Sequence, residues 1–122
     1  MPPRKIVIIE DDQPILDLME ILIEKLGYQP ILITNGLEAL DYVRSEPPVL
    51  ILLDIMMSPI SGWEFLKRLR KDYNLWEIPV LLFTAAPDSA EQMAELRDPH
   101  LGILQKPVSM EELKAALEKY IR

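Results

Sequence analysis

The chain has no cysteine and only one histidine, His100. Without thiols there is no disulfide framework, no thiolate nucleophile and no cysteine zinc site, and a single imidazole cannot build a histidine metal cluster. Any metal site must therefore be made from oxygen ligands. Long apolar runs are also missing: none approaches the roughly 20 residues that a membrane span needs. The amino terminus, Met1-Pro2-Pro3-Arg4-Lys5, leads into a short apolar stretch that meets acid at Glu10, too short for the core of a signal peptide. A soluble, cytoplasmic protein with no membrane association is expected. Positive charge is in deficit. The formal net charge of -7 opposes direct binding of nucleic acid, which rests on neutralising phosphates with Lys and Arg, and favours protein partners or small cations. No internal repeat, low-complexity segment or linker divides the 122 residues, so one domain over 1–122 with no output module in this chain is expected.

What is present is an alternation of strand and helix patterns. Lys5 to Glu10 is a β-branched run ending in acid, followed by Ile15, Leu18, Met19, Leu22, Ile23 and Leu26 at helical spacing and a stop at Gly27. Pro30 to Thr34 reads as a second strand, and Asn35 with Glu38 as a capping box opening a helix to about Ser45. Val49 to Leu53 is apolar on both faces, as a central parallel strand covered by helices on either side must be, and it ends at Asp54. Ser61 and Glu64 open a helix carrying Phe65, Leu66 and Leu69, and Ile78 to Phe83 is a strand ending at Thr84. A weaker helix from Ser89 to about Arg97 is followed by a short strand from Leu101 to Gln105. Ser109 and Glu112 then cap a last helix with Met110, Leu113, Leu117 and Tyr120 inward. Five βα units favour an α/β fold with right-handed crossovers and are too few for a closed eight-fold barrel. An open, doubly wound five-stranded parallel sheet is expected.

In such sheets ligands bind outside the carboxyl ends of the strands, which here offer Glu10-Asp11-Asp12, Asp54, Thr84 and Lys106. Crowded carboxylates repel one another unless a cation sits among them, and hard oxygen donors suit magnesium. A carboxylate at the end of a buried strand can attack phosphorus, with the metal and a lysine neutralising the oxygens of the transferred group. Simpler readings stand beside these. Asp12 ahead of Pro14 is expected chiefly to cap the first helix; Met56, Met57 and Trp63 to pack; His100 to be a loop residue.

Five segments resemble the response regulator receiver domain: Ile8-Ile9-Glu10-Asp11-Asp12, Leu52-Leu53-Asp54-Ile55-Met56-Met57, Ser61-Gly62-Trp63-Glu64, Leu82-Phe83-Thr84-Ala85 and Lys106-Pro107. The resemblance spans essentially the whole chain. It implies a flavodoxin-like (βα)5 fold with strand order 2-1-3-4-5, where the alternation alone gives only the class. It also implies that Asp54 is the phosphoacceptor and that Glu10, Asp11, Asp54 and the Met56 main-chain carbonyl hold Mg2+. Thr84 would be the switch hydroxyl, and Lys106 the ammonium that pairs with the phosphoryl group, joined to Pro107 by a cis bond. The implied partners are a sensor histidine kinase or phosphotransfer protein, a downstream protein still to be identified, and, as in some receivers, a second phosphorylated copy. Such a domain is a signalling module rather than an enzyme, limited to its own phosphorylation and dephosphorylation.

Three departures from the family pattern bear on that reading. Ser58-Pro59 replaces the usual Pro-Gly, which alters the loop beside Asp54. Ile103 stands where an aromatic switch residue is usual. Met56 and Ala86 cannot hydrogen-bond an attacking water, so slow self-dephosphorylation is expected. The alternatives are a degenerate receiver acting as a phosphorylation-independent interaction module, against which the intact acids, Thr84 and Lys106 argue, and an aspartyl-phosphate phosphatase, which would want an acid at Met56. A flavin carrier ranks last, because it would want a phosphate-cradling loop where Glu10, Asp11 and Asp12 stand.

Overall fold

Among the residues that the computed structural model describes, 4–57, 59–84 and 98–121, ten elements follow one another along the chain. They are β1 (Lys5–Ile9), α1 (Gln13–Lys25), β2 (Gln29–Ile33), α2 (Gly36–Ser45), β3 (Leu50–Asp54), α3 (Gly62–Lys67), a π-helical turn (Arg68–Asp72), β4 (Val80–Thr84), β5 (Leu101–Gln105) and α4 (Met110–Tyr120). All neighbouring strands pair in parallel, in the order β2-β1-β3-β4-β5. The expected helix over Ser89 to Arg97 lies outside the described residues. Among them no helix is long and apolar enough to cross a membrane.

The sheet is covered on both faces, and strand alternation sorts its side chains between the two layers. Val7, Ile9, Ile51, Leu53, Val80 and Leu82 point to one face and pack with Ala39, Leu40 and Val43 of α2 and Phe65 and Leu66 of α3. Ile6, Ile8, Leu50, Leu52, Leu81 and Phe83 point to the other and pack with Leu16, Met19 and Ile23 of α1 and Leu113 and Leu117 of α4. Every residue of β3 is buried, as a central strand with helices on both sides requires. Burying each such Leu or Ile contributes roughly 1.5–3 kcal/mol.

Local chemistry explains where the helices begin and end. Asn35 accepts from the N–H groups of Leu37 and Glu38, and Ser61 Oγ from Glu64 N–H at 3.1 Å. Ser109 Oγ accepts from Glu112 N–H, capping the last helix, and donates to Glu112 Oε1. Helix α1 ends as the glycine stop requires. Gly27 adopts φ +92, with its N–H on Glu24 O and the Tyr28 N–H on Ile23 O. Asp12 is positioned as N-cap of α1 but its side chain makes no capping bond; only its carbonyl takes part, accepting from Leu16 N–H. Two packing expectations are also corrected. Leu18 is 52% exposed, and Leu16, two residues earlier and so on the opposite side of the helix, fills the core instead; Met56 is 73% exposed rather than packed.

A polar knot at the amino-terminal ends of β4 and β5 was not foreseen. Arg70, in the π-helical turn, is fully buried. Its Nε donates to Asp98 Oδ2 at 2.7 Å, and its terminal nitrogens donate to the carbonyls of Leu75, Ile78 and His100. Burial pulls the guanidinium below its usual pKa, against the hydrogen bond and charge of Asp98. His100 is more than a loop residue. Its N–H donates to Asp98 Oδ1, and its Nδ1 lies 2.9 Å from Trp76 O, which requires a proton on that nitrogen.

Candidate functional site

Because all five strands run the same way, their carboxyl ends gather at one pole of the sheet. Glu10 follows β1, Asp54 closes β3 and Lys106 follows β5. Ile9 pairs with Leu53, so Glu10 and Asp54 emerge side by side from adjacent strands. One carboxylate oxygen each from Glu10, Asp11 and Asp54 lies within 4.8 Å of the others. Glu10 and Asp54 are buried, at 1% and 4% exposure, whereas Asp11 faces solvent. The Lys106 ammonium reaches into this group, donating to Glu10 Oε2 at 3.2 Å and lying 3.5 Å from Asp54 Oδ1. The Lys106-Pro107 bond is cis, as the resemblance implies.

Main-chain donors fix both buried carboxylates. Met56 N–H donates to Asp54 Oδ1 at 3.2 Å, and Asp12 N–H to Glu10 Oε1 at 3.1 Å. The turn after β3 is held tightly. Gly62 N–H donates to Ile55 O at 2.8 Å, and a Cβ on Gly62 would lie 2.5 Å from Asp54 O. Only glycine allows α3 to start this close to the strand that carries Asp54.

The electrostatics follow from the crowding. Burial first, then the hydrogen bond and charge of Asp54, push the Glu10 carboxyl up to about 7; the Asp12 N–H and Lys106 pull the other way and lose. Three carboxylates against one ammonium leave the pocket with surplus negative charge, and all its side-chain donors toward a cation are hard oxygens. That donor set fits a magnesium ion.

The structure thus brings Glu10, Asp11, Asp54 and Lys106 together, with the Met56 main chain on Asp54. The Thr84 backbone ends β4 in register with Gln105; its side chain lies outside the described residues, as do Ser58 and Ala86. Ile103 pairs with Leu82 and is 42% exposed. Two neighbours of the site were not read from the sequence. The Phe83 ring lies under Lys106, its centroid 4.9 Å from the Lys106 Nζ. A groove of about 390 Å3 beside it is lined by Ile15, Leu18, Met19, Pro107 and Val108 together with Phe83 and Lys106. Phe83 pointed only to a strand by composition, and its contact depends on the β4–β5 register.

A doubly wound parallel sheet with an acidic pocket and a lysine at its carboxyl pole places the chain in a definite class. The family model of the response regulator receiver domain matches residues 6–118, and the chain belongs to that family. It is 34% identical over 119 residues to the polar-differentiation response regulator DivK of Brucella anthropi, covering 98% of this chain and 97% of the relative. The N-terminal domain of a response regulator receiver protein from Methanoculleus marisnigri is 36% identical, with a TM-score of 0.77 and 94% of each chain covered. The receiver domain of the sensor histidine kinase PA1611 from Pseudomonas aeruginosa shares the fold at a TM-score of 0.82 and 21% identity, with 98% of each chain covered. That structure has a magnesium ion coordinated in its active site cleft. The protein is a receiver domain of two-component signalling, a signalling module.

Proposed function

We propose that this receiver takes a phosphoryl group onto Asp54 from the phosphohistidine of a sensor histidine kinase or phosphotransfer protein, and that the modified form changes its affinity for a downstream protein. The observation that carries the reading is the buried Asp54 carboxylate at the end of the central strand, with the Lys106 ammonium 3.5 Å from Oδ1. In the transfer, a carboxylate oxygen of Asp54 attacks phosphorus, the P–N bond breaks, and its electron pair returns to the imidazole. Lys106 supplies positive charge to the phosphoryl oxygens, and the Met56 N–H holds the carboxylate in place. The Thr84 hydroxyl donates to a phosphoryl oxygen and turns with it, which shifts the population between two forms of the domain. In dephosphorylation water attacks phosphorus, the acyl P–O bond breaks, and the Asp54 carboxylate and inorganic phosphate result.

Glu10, Asp11 and Asp54, with the Met56 main-chain carbonyl, would hold Mg2+; when bound, it neutralises the crowded carboxylates and the oxygens of the transferred group. The ion in the Pseudomonas receiver supports that assignment. The apolar groove beside Lys106 suits the donor protein, which must rest within reach of Asp54 to deliver its phosphohistidine. In this reading the 1–122 chain works as one receiver unit in the cytoplasm.

The test is intact mass after incubation with magnesium and acetyl phosphate, run beside Asp54→Asn. One phosphoryl adduct that requires magnesium and is lost in the variant is the expected result. Folded wild-type protein without an adduct would overturn the reading in favour of a phosphorylation-independent interaction module.

A further inference from the structure

We infer that Phe83 is a positioning residue for Lys106 in phosphoryl transfer, an inference that rests on the phosphoacceptor reading above. Strand β4 lies between the strands that carry Asp54 and Lys106, and Phe83 is in register with Asp54 on one side and Leu104 on the other. Paired residues of parallel strands point to the same face, so the ring occupies the gap that the lysine must cross. Lys106 crosses it with its Nζ 4.9 Å from the ring centroid before meeting Glu10 and Asp54.

Lys106 needs such a guide. Its side chain is 21% exposed on a flexible four-carbon stem, and the rotamer entropy lost on ordering that stem opposes the ion pairs. Phe83, by contrast, is 1% exposed and fixed by the core around Leu16 and Met19. The face of an aromatic ring attracts a cation electrostatically. It does so without adding another anion to a pocket that already holds three carboxylates. A carboxylate in that place would tighten the lysine but deepen the charge crowding, and an aliphatic side chain would fill the space without holding the ammonium.

The experiment measures the rate of Asp54 phosphorylation by acetyl phosphate in magnesium for wild type, Phe83→Met and Phe83→Tyr, and for Phe83→Met combined with Lys106→Met beside Lys106→Met alone. Methionine is an apolar, unbranched filler without a ring, and tyrosine keeps the ring. A cation held over a ring is worth roughly a three- to ten-fold change in rate. Phe83→Met is expected to slow the maximal rate by that factor with little change in donor KM, Phe83→Tyr to restore it, and Phe83→Met to do nothing further once Lys106 is methionine. The Lys106 ε-methylene protons, shifted upfield by the ring, should move downfield in Phe83→Met and not in Phe83→Tyr. Equal rates in wild type and Phe83→Met, or the same loss in both lysine backgrounds, would overturn the inference while leaving the phosphoacceptor reading intact. A wild type that takes no phosphoryl group would overturn both.

Discussion

Replacing Glu10 by glutamine should make the metal-free protein more stable at alkaline pH, because the native fold holds this carboxyl where its ionised form is disfavoured. The side chain is 1% exposed, and burial together with Asp54 raises its pKa from an ordinary carboxylate value to about 7. The folded state therefore binds a proton that the unfolded chain releases near pH 4.5. Since the native form binds more protons in that interval, stability falls as pH rises from about 4.5 through 7 and is flat on either side. At about 1.4 kcal/mol per pH unit, the fall attributable to Glu10 is about 3 kcal/mol. Glutamine keeps an oxygen for the Asp12 N–H and removes the ionisation. Urea denaturation in EDTA at half-unit steps from pH 4.5 to 8.5 isolates the contribution of the pocket as the difference between the two proteins, since the titrating groups away from it are common to both. The difference should be near zero at pH 4.5 and grow to its full value above pH 7. Magnesium should abolish most of it by stabilising the wild type at high pH. Parallel stability curves for wild type and Glu10→Gln across this range would refute the reasoning.

Three further outcomes follow from features away from the pocket's charge. Arg70→Met takes the Arg70 donors away from Asp98 Oδ2 and from the carbonyls of Leu75 and Ile78 at a buried point. It should lower unfolding free energy by roughly 3–5 kcal/mol, partly recovered by adding Asp98→Asn, and a loss in urea denaturation below roughly 1 kcal/mol would refute the buried pair. Gly62→Ala drives a Cβ to 2.5 Å from Asp54 O and should both destabilise by roughly 1–3 kcal/mol and slow phosphorylation of Asp54. Gly27→Ala, at φ +92 with open space around it, should cost roughly 1 kcal/mol through backbone strain and leave the phosphorylation rate unchanged, which separates the two effects in one assay.

The elements readable from the sequence were those whose signals are local. Asn35, Ser61 and Ser109 cap helices through bonds that span two or three residues, and Val49 to Leu53 is apolar on both faces because both faces are covered. The pocket was legible because acids and a lysine at successive strand ends converge as soon as the sheet is parallel. Strand order came from the resemblance, since alternation does not specify which strands are neighbours. Other features required the closed fold. Arg70 sits among Lys67, Arg68 and Lys71, a run that reads as a solvated face, and its carboxylate partner is 28 residues away. Leu16 and Leu18 each fit an amphipathic stripe, on opposite sides of the helix, and only the direction from which β1 and α4 approach decides between them. The Asp12 side chain has the right identity for a cap and does not serve as one; the residue's main-chain N–H instead donates to Glu10 Oε1.

The parallel sheet has a consequence for how this domain tolerates change. Five-residue strands separate the Arg70 knot from the acidic pocket by about 15 Å, at a rise of about 3.3 Å per residue. At such a distance free-energy effects usually add rather than couple. One end of the molecule can therefore be rebuilt for robustness while the other is retuned for reactivity, and the two searches need not be made together.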